Sequence, residues 1–386
     1  MYKPKVCLWC ISSINSADFV ERFKEEFDIV SIAIDIQDAK FKYDYTYTIK
    51  IPKLFNLKIF RILYSILFIL PRMIYLFSKY DKIVDCHIIH YLFEPFTIPI
   101  FIVNPKKSIL YFTYGSDYRY PSLKYVFKKV LNNKVNLVFS GSRIVKKELE
   151  LLYGTESSKI DTTLTFGCDT DIFRRFPLNY RNKLRQKYHI SNDLFTLFYP
   201  RKLTRLYNHH LVLESISFLK NNVREKIKLI LINYGDQNYF SELIKLAEKL
   251  GIKDNVIIFE NRLSKKEMAE IYNISDVTLS IPTNDGIGRS NVEAVLCGSV
   301  LLLNKNILNY KILFRDGKYC KYVEPTPQAI SAELEDLILR LDELKIESER
   351  IRIARFVDWE RNKKRIANKI REIIQIQKCG GKNGRG

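Results

Sequence analysis

The 386-residue sequence has seven cysteines, too few and too scattered for a disulfide framework. Cys7 and Cys10 spell one C-x-x-C, but no second pair or histidine cluster completes a zinc set. On an extended strand the two thiols point to opposite faces, so they read as structural. Long apolar runs are also missing. The best candidate, Ile62 to Pro71 between Arg61 and Arg72, falls well short of the ~20 residues that a spanning helix needs. No secretory signal opens the chain: Met1–Trp9 mixes Lys3, Pro4 and Lys5 with apolar residues and reads as a first strand, so a reducing cytosol is expected. No internal repeat is visible. With 47% apolar residues, 14 Gly and 12 Pro, the composition excludes collagen-like and disordered chains. Acidic charge is the last deficit, 43 Asp and Glu against 63 Lys and Arg, for a formal net charge of +20. So basic a protein calls for an acidic partner: phosphate groups, nucleic acid or an anionic membrane face.

What is present is alternation. Short apolar runs (Val6–Cys10, Ile29–Ile34, Ile83–His87, Ser108–Thr113, Leu137–Phe139) read as strands, with amphipathic helical stretches such as Ala17–Phe27 and Arg143–Leu152 among them. After a loop over Phe173–Asn192 the pattern restarts with strands Thr196–Tyr199, Lys228–Asn233, Val256–Phe259, Val277–Ile281 and Val300–Asn304. Near-continuous apolar strands joined by helices predict buried parallel sheets. Two such series predict an α/β protein of two Rossmann-like domains facing each other across a cleft. The boundaries expected are 1–172 and 190–358, then a basic amphipathic helix over 359–378 and a mobile tail over 380–386.

Ser280–Asn304 (SIPTNDGIGRSNVEAVLCGSVLLLN) carries the most chemistry. It reads strand, loop, short helix, strand. Gly286 and Gly288 after Asp285 let a ligand approach the backbone. Ser290 or Asn291 can cap the helix, and Gly298 suits its stop. A helix start after such a loop offers N–H groups and a positive dipole end to a phosphate. Glu293, expected in the first turn, can accept two hydrogen bonds from a ribose diol.

Asp285-x7-Glu293, with Gly286, Gly288 and the continuation Ala294–Gly298 (AVLCG), resembles the E-x7-E segment of retaining glycosyltransferases of the GT-B fold, of the large family-4 type (glycosyltransferases group 1). Phe112–Asp117 (FTYGSD), Phe166–Phe173 (FGCDTDIF), Tyr199–Ile216, Leu231–Asp236, Val256–Met268 and Asp316-Gly317 resemble further family segments in the same order. The resemblance implies a GT-B fold with an N-terminal acceptor domain, a C-terminal nucleotide-sugar domain, and a last helix crossing back. It makes Glu293 the ribose ligand, Asp285 (where the family usually has Glu) the contact to the donor sugar, and Arg201 the diphosphate ligand. The family's lysine falls at Tyr207-Asn208 and is missing; Lys202 or Arg205 is the replacement, with Arg205 favoured. Arg201, Asp285 and Glu293 thus form the expected catalytic set. Lys202, Arg205, Gly286, Gly288 and Ser290 join Arg201 and Glu293 at the donor. His87, His90 and Asp117 are candidates for the acceptor side. The glycine-rich loop usual after the first strand is replaced by Ile11–Asn15 (ISSIN).

The function so implied is retaining transfer of a sugar from a nucleotide-sugar donor to a hydroxyl acceptor, with no cofactor beyond that substrate. Asp169-Thr170-Asp171 spells a D-x-D, but two carboxylates make a poor Mg²⁺ site and no metal is expected. Residues 51–150 hold 16 Lys and Arg against 6 Asp and Glu, a surplus of 10. Leu54, Phe55, Phe60 and Leu63 lie there among Lys53, Lys58 and Arg61. Apolar residues ringed by cations suit an anionic bilayer surface. The expectation is therefore glycolipid or surface-polysaccharide synthesis by a cytoplasmic protein, peripheral on the membrane face, acting on a lipid-linked acceptor. Two alternatives stand beside it. One is a catalytically weak or dead relative serving as a subunit; the other is a basic nucleic-acid-binding protein, which no RNP, zinc-finger or helix-turn-helix pattern supports.

Overall fold

The structure, a computed structural model, describes residues 3–11, 14–35, 47–50, 65–79, 87–91, 108–111, 124–163 and 167–380. Asp117, the cations Lys53, Lys58 and Arg61, and the tail beyond 380 lie outside the described residues. The chain divides into two compact units, residues 1–165 with 360–386, and residues 166–359.

The first unit is built on a seven-stranded parallel sheet in the order β3-β2-β1-β4-β5-β6-β7. Its elements are β1 (Lys5–Ile11), α1 (Ile14–Phe23), β2 (Asp28–Asp35), β3 (Tyr47–Lys50), α2 (Leu70–Lys79), β4 (His87–Tyr91), β5 (Ser108–Tyr111), α3 (Lys124–Asn133), β6 (Val135–Phe139), α4 (Arg143–Tyr153) and β7 (Ile160–Asp161). Val6, Cys7 and Leu8 on β1 and Val138 and Phe139 on β6 are fully buried, which is why these runs carry no alternating polar residues. Ser142 caps α4 by accepting from the Val145 N–H at 3.1 Å, and Gly154 ends it in the left-handed region at φ 64°. The last helix, α12 (Trp359–Gly380), packs Ile366, Ala367, Ile370 and Ile374 inward. Arg371 pairs with Glu26 there, its guanidinium 5.5 Å from the Phe27 ring, and Lys363 reaches Glu25 at 3.7 Å.

The second unit holds a six-stranded parallel sheet, β10-β9-β8-β11-β12-β13. In chain order it runs α5 (Leu178–Lys187), β8 (Phe195–Tyr199), α6 (His209–Ser217), β9 (Ile227–Ile232), α7 (Gln237–Lys249), β10 (Val256–Phe259), α8 (Lys265–Ile274), β11 (Val277–Ser280), α9 (Arg289–Cys297), β12 (Val300–Asn304), β13 (Cys320–Val323), α10 (Pro327–Leu344) and α11 (Glu347–Phe356). The strand order reverses between β8 and β11, and ligands of such sheets bind outside the strands' C-terminal ends at that point. Leu197, Phe198, Leu279 and Val300–Leu303 are buried outright. A Ser264–Glu267 capping box opens α8, and Asp236 caps α7 through the N–H groups of Asn238 and Tyr239.

Three sequence expectations are corrected. Residues 178–187, read as loop, form α5. Its Arg185 is held by the carbonyls of Ser191, Leu194 and Ile274 and by Asp276 at 2.9 Å, a tertiary anchor that local pattern does not reveal. The strand expected at Ile83–His87, of which 83–86 lie outside the described residues, continues to Tyr91. Helix α9 begins earlier than Ser290 or Asn291 would have it: Gly288, at φ 75°, ψ 108°, is the cap residue, and Glu293 falls in the second turn.

Candidate functional site

Arg201 sits two residues past β8, on a loop fastened to the neighbouring strand end. The Tyr199 hydroxyl donates to the Tyr207 carbonyl and accepts from the Ile281 N–H at 3.1 Å. Asn208 donates to the Ile281 carbonyl at 2.9 Å, and the Thr283 N–H reaches the Leu206 carbonyl at 2.9 Å. Asn208 holds φ 53°, a left-handed conformation that Asn tolerates better than most residues. The buried His209 ring lies 3.3 Å from the Arg201 carbonyl, and burial drops its pKa to about 3, so it stays neutral.

Arg201 makes three contacts. Its Nη1 donates to Ser290 Oγ at 3.0 Å, its Nη2 pairs with Asp285 Oδ2, and its guanidinium lies 4.8 Å from the Tyr207 ring. Only 11% of its side chain and 16% of that of Asp285 are exposed, so the pair is largely shielded from water and only weakly screened. The Arg201 Nε–H is buried and has no partner among the described residues. A donor held with one edge unused suits an arriving oxyanion.

Asp285 is held from several sides. Its Oδ2 accepts from the Tyr310 hydroxyl at 2.7 Å, its Oδ1 from the Gly286 N–H at 2.9 Å, and its carbonyl from Asn309 at 3.1 Å. A Cβ at Gly286 would meet nothing within 4 Å, so that glycine faces open space. A Cβ at Gly288 would come within 2.8 Å of Asn291, and its positive φ makes a side chain there strained as well. No side chain caps α9, which leaves its first-turn N–H groups facing the loop. Glu293, one turn on, lies 3.3 Å from the Tyr272 hydroxyl. Burial raises its pKa above the usual glutamate value, while Arg289 and the Tyr272 bond pull the other way.

The structure therefore brings Arg201, Asp285 and Ser290 into direct contact, with Gly286, Gly288 and Glu293 on the same loop and helix. Arg205 is exposed, paired with Glu242 and 5.3 Å from the Tyr239 ring. Lys202 is exposed, 5.8 Å from the Tyr234 ring, and has no ion pair among the described residues. His87 opens β4, at the N-terminal edge of its sheet rather than the end of a strand, and His90 is one residue from the C-terminal edge. Asp169 of the D-x-D accepts from the Asp171 and Ile172 N–H groups, closing a turn. Sequence reading missed Tyr207, Tyr272, Asn309 and Tyr310. They approach the site from three separate elements, Asn309 and Tyr310 sharing one turn, and nothing in local spacing marks them.

The family model for glycosyl transferases group 1 matches residues 180–353, which contain every one of these C-terminal groups. That segment is similar to the family, and the fold is GT-B. In fold it is similar to the Anabaena protein HepE, solved with UDP: TM-score 0.76, 15% identity, 95% of this chain and 100% of that one. Among curated relatives, a putative glycosyltransferase EpsD of Bacillus subtilis is 24% identical over 39% of this chain and 38% of its own length. An alpha-monoglucosyldiacylglycerol synthase of Streptococcus pneumoniae is 25% identical over 52% of this chain and 44% of its own. The matches thus span less than half the length of these two relatives.

Proposed function

We propose that the protein transfers a sugar from a nucleotide-sugar donor to a hydroxyl acceptor with retention of configuration. The observation that carries this reading is the cluster of Arg201, Ser290 and Asp285 at the uncapped start of α9, outside the strand ends where the sheet order reverses. The diphosphate takes the Arg201 guanidinium and the first-turn N–H groups, and Glu293 takes the ribose hydroxyls. Lys202, which has no carboxylate partner among the described residues, is a better second cation than Arg205, whose charge Glu242 already meets. The bond from the anomeric carbon to the diphosphate oxygen breaks, and the leaving group keeps the electron pair. The acceptor oxygen bonds to the same carbon on the same face, and its proton passes to the departing phosphate. Arg201 and the helix start stabilise the growing charge; Asp285 orients the sugar. Of the acceptor-side candidates, the place of His90 near a strand's C-terminal end favours it over His87, and Asp117 is kept with it.

The test is a screen of UDP-, GDP-, ADP- and dTDP-sugars for thermal stabilisation, followed by donor hydrolysis and transfer. A true donor at ~100 times its dissociation constant should add about 2.7 kcal/mol. No stabilisation by any of them, with salt-sensitive binding to polyanions instead, would replace this reading with nucleic-acid binding.

The acceptor we propose is lipid-linked, at an anionic membrane surface. No helix among the described residues is long and apolar enough to cross a membrane. Yet Leu67, Phe68, Ile74 and Tyr75, on the π-helical turn Ser65–Ile69 and α2, are 53–61% exposed beside the exposed Pro71 and Arg72, while Ile69 faces the core. The seven-residue spacing from Leu67 to Ile74 and from Phe68 to Tyr75 puts them on one side, next in sequence to Lys53, Lys58 and Arg61. The relative that is an alpha-monoglucosyldiacylglycerol synthase favours the same choice. Each cation near an anionic leaflet contributes about 1 kcal/mol, screened over ~8 Å at physiological salt. Sedimentation with vesicles should therefore rise with anionic lipid and fall with salt. It should drop in a Lys53→Glu, Lys58→Glu, Arg61→Glu variant and in one with Leu67, Phe68, Ile74 and Tyr75 changed to Ser. Binding indifferent to lipid charge would favour a soluble acceptor.

A further inference from the structure

Tyr310 lies in a short helical turn after β12, is wholly buried, and touches no surface a substrate could reach. Its hydroxyl nevertheless stands 2.7 Å from Asp285 Oδ2 and 2.8 Å from Ser280 Oγ, the last residue of β11. The direction of these bonds follows from proton count. An ionised carboxylate only accepts, so the single phenolic proton goes to Asp285 and the Ser280 hydroxyl must donate to Tyr310. Burial pushes the Tyr310 pKa up to about 12, which keeps that proton in place at any working pH. The neighbouring Asn309, itself buried, grips the Asp285 carbonyl at 3.1 Å. One rigid strand end and one turn thus hold both the backbone and the carboxylate of Asp285. The Gly286 N–H occupies one lone pair of Oδ1 and leaves the other for a ligand.

We propose that the Ser280–Tyr310 relay is the positioning device for Asp285, and that it sets how well the donor sugar, as distinct from the nucleotide, is oriented. The proposal rests on the glycosyltransferase reading above. Arg201 pulls on the same Oδ2. Without the Tyr310 donor, the carboxylate is free to rotate toward Arg201 and turn its open lone pair from the sugar. Tyr310 touches only protein, so it is a positioning residue and not a catalytic one.

The test compares wild type, Tyr310→Phe, Ser280→Ala, Asp285→Asn and the Tyr310→Phe/Asp285→Asn double variant. The donor is the nucleotide sugar that the screen identifies. Phe keeps the ring in its packing and removes only the hydroxyl. Tyr310→Phe should lower kcat about 10- to 100-fold, the scale of one hydrogen bond to a charged group. Its affinity for the free nucleoside diphosphate should stay within about 2-fold of wild type. Ser280→Ala should act in the same direction with smaller size, because it weakens the relay from one step away. In the Asp285→Asn background, Tyr310→Phe should cost little more. A merely structural tyrosine would lower nucleotide affinity and turnover together and would act independently of Asp285. Either that pattern, or turnover within 2-fold of wild type in Tyr310→Phe, overturns the proposal while the functional reading stands. Wild type that neither binds nor turns over any nucleotide sugar overturns both.

Discussion

Arg201→Ala is expected to lower the rate of sugar transfer by about 100- to 1,000-fold, with a much smaller loss of nucleotide affinity. That is the range for removing one preorganised donor from a developing oxyanion. The asymmetry has a physical cause. Charge on the departing diphosphate grows along the reaction, so a fixed cation helps the transition state more than the bound donor. Arg201 is unusually well fixed: Ser290 holds Nη1, Asp285 holds Nη2, and the Tyr207 ring covers one face. The same enclosure brings a stability cost, because truncation strands the Asp285 carboxylate. Breaking a buried pair from one side costs about 3–5 kcal/mol, and this pair is nearly but not wholly enclosed, so the lower figure applies. Thermal unfolding must therefore be followed in parallel. Arg201→Lys keeps a cation for Asp285 and should recover the fold before it recovers the rate. A folded Arg201→Ala protein that loses affinity alone would make Arg201 a uniform binding contact rather than a leaving-group cation.

Glu293→Ala should weaken nucleotide binding by roughly 1.5–3 kcal/mol, about 10- to 150-fold, the range for hydrogen bonds to a charged acceptor. The carboxylate lies one turn into α9, and the Tyr272 hydroxyl donates to it at 3.3 Å, a long bond that a ligand can better. Burial raises its pKa, so the carboxylate protonates at higher pH than a solvated glutamate would. The ionised form accepts a charge-assisted hydrogen bond on each oxygen, whereas protonation turns one oxygen into a donor and weakens the pair. Nucleotide affinity should therefore begin to fall, as pH drops, before the ordinary glutamate range is reached. Glu293→Gln should flatten that acid limb. Titration calorimetry across pH reads both effects, and an affinity unchanged in a folded Glu293→Ala protein would remove this residue from the site.

The parallel strands of the second unit and the resemblance to the glycosyltransferase family were legible because their signals are local. Val300–Leu303 is apolar throughout since both faces of its strand are covered, and Asp285-Gly-Ile-Gly is a loop because two glycines in four residues disfavour anything else. Helix α5 was not legible. Its positions from Leu178 to Lys187 lack a clear apolar stripe, and what secures them is Arg185 reaching Asp276, 91 residues away in sequence. The start of α9 was misread for a related reason. Ser290 is a good cap in isolation, but its hydroxyl is taken by Arg201, and the cap falls to Gly288 at a positive φ that only a glycine adopts freely.

Sequence alone thus determined the elements whose stability comes from neighbours along the chain, and it supplied the charged residues of the site. Which of those charges are spoken for was decided only in three dimensions. Arg205, the cation the sequence favours, is matched by Glu242 from α7, whereas Lys202 is not so matched. Tyr207, standing where the family has its lysine, gives its ring to Arg201, and Tyr310 reaches Asp285 across 25 residues. Hydrogen bonds and ion pairs form between atoms brought within a few ångströms, and in a parallel sheet that proximity is set by strand order, which places the loops after β8, β11 and β12 side by side.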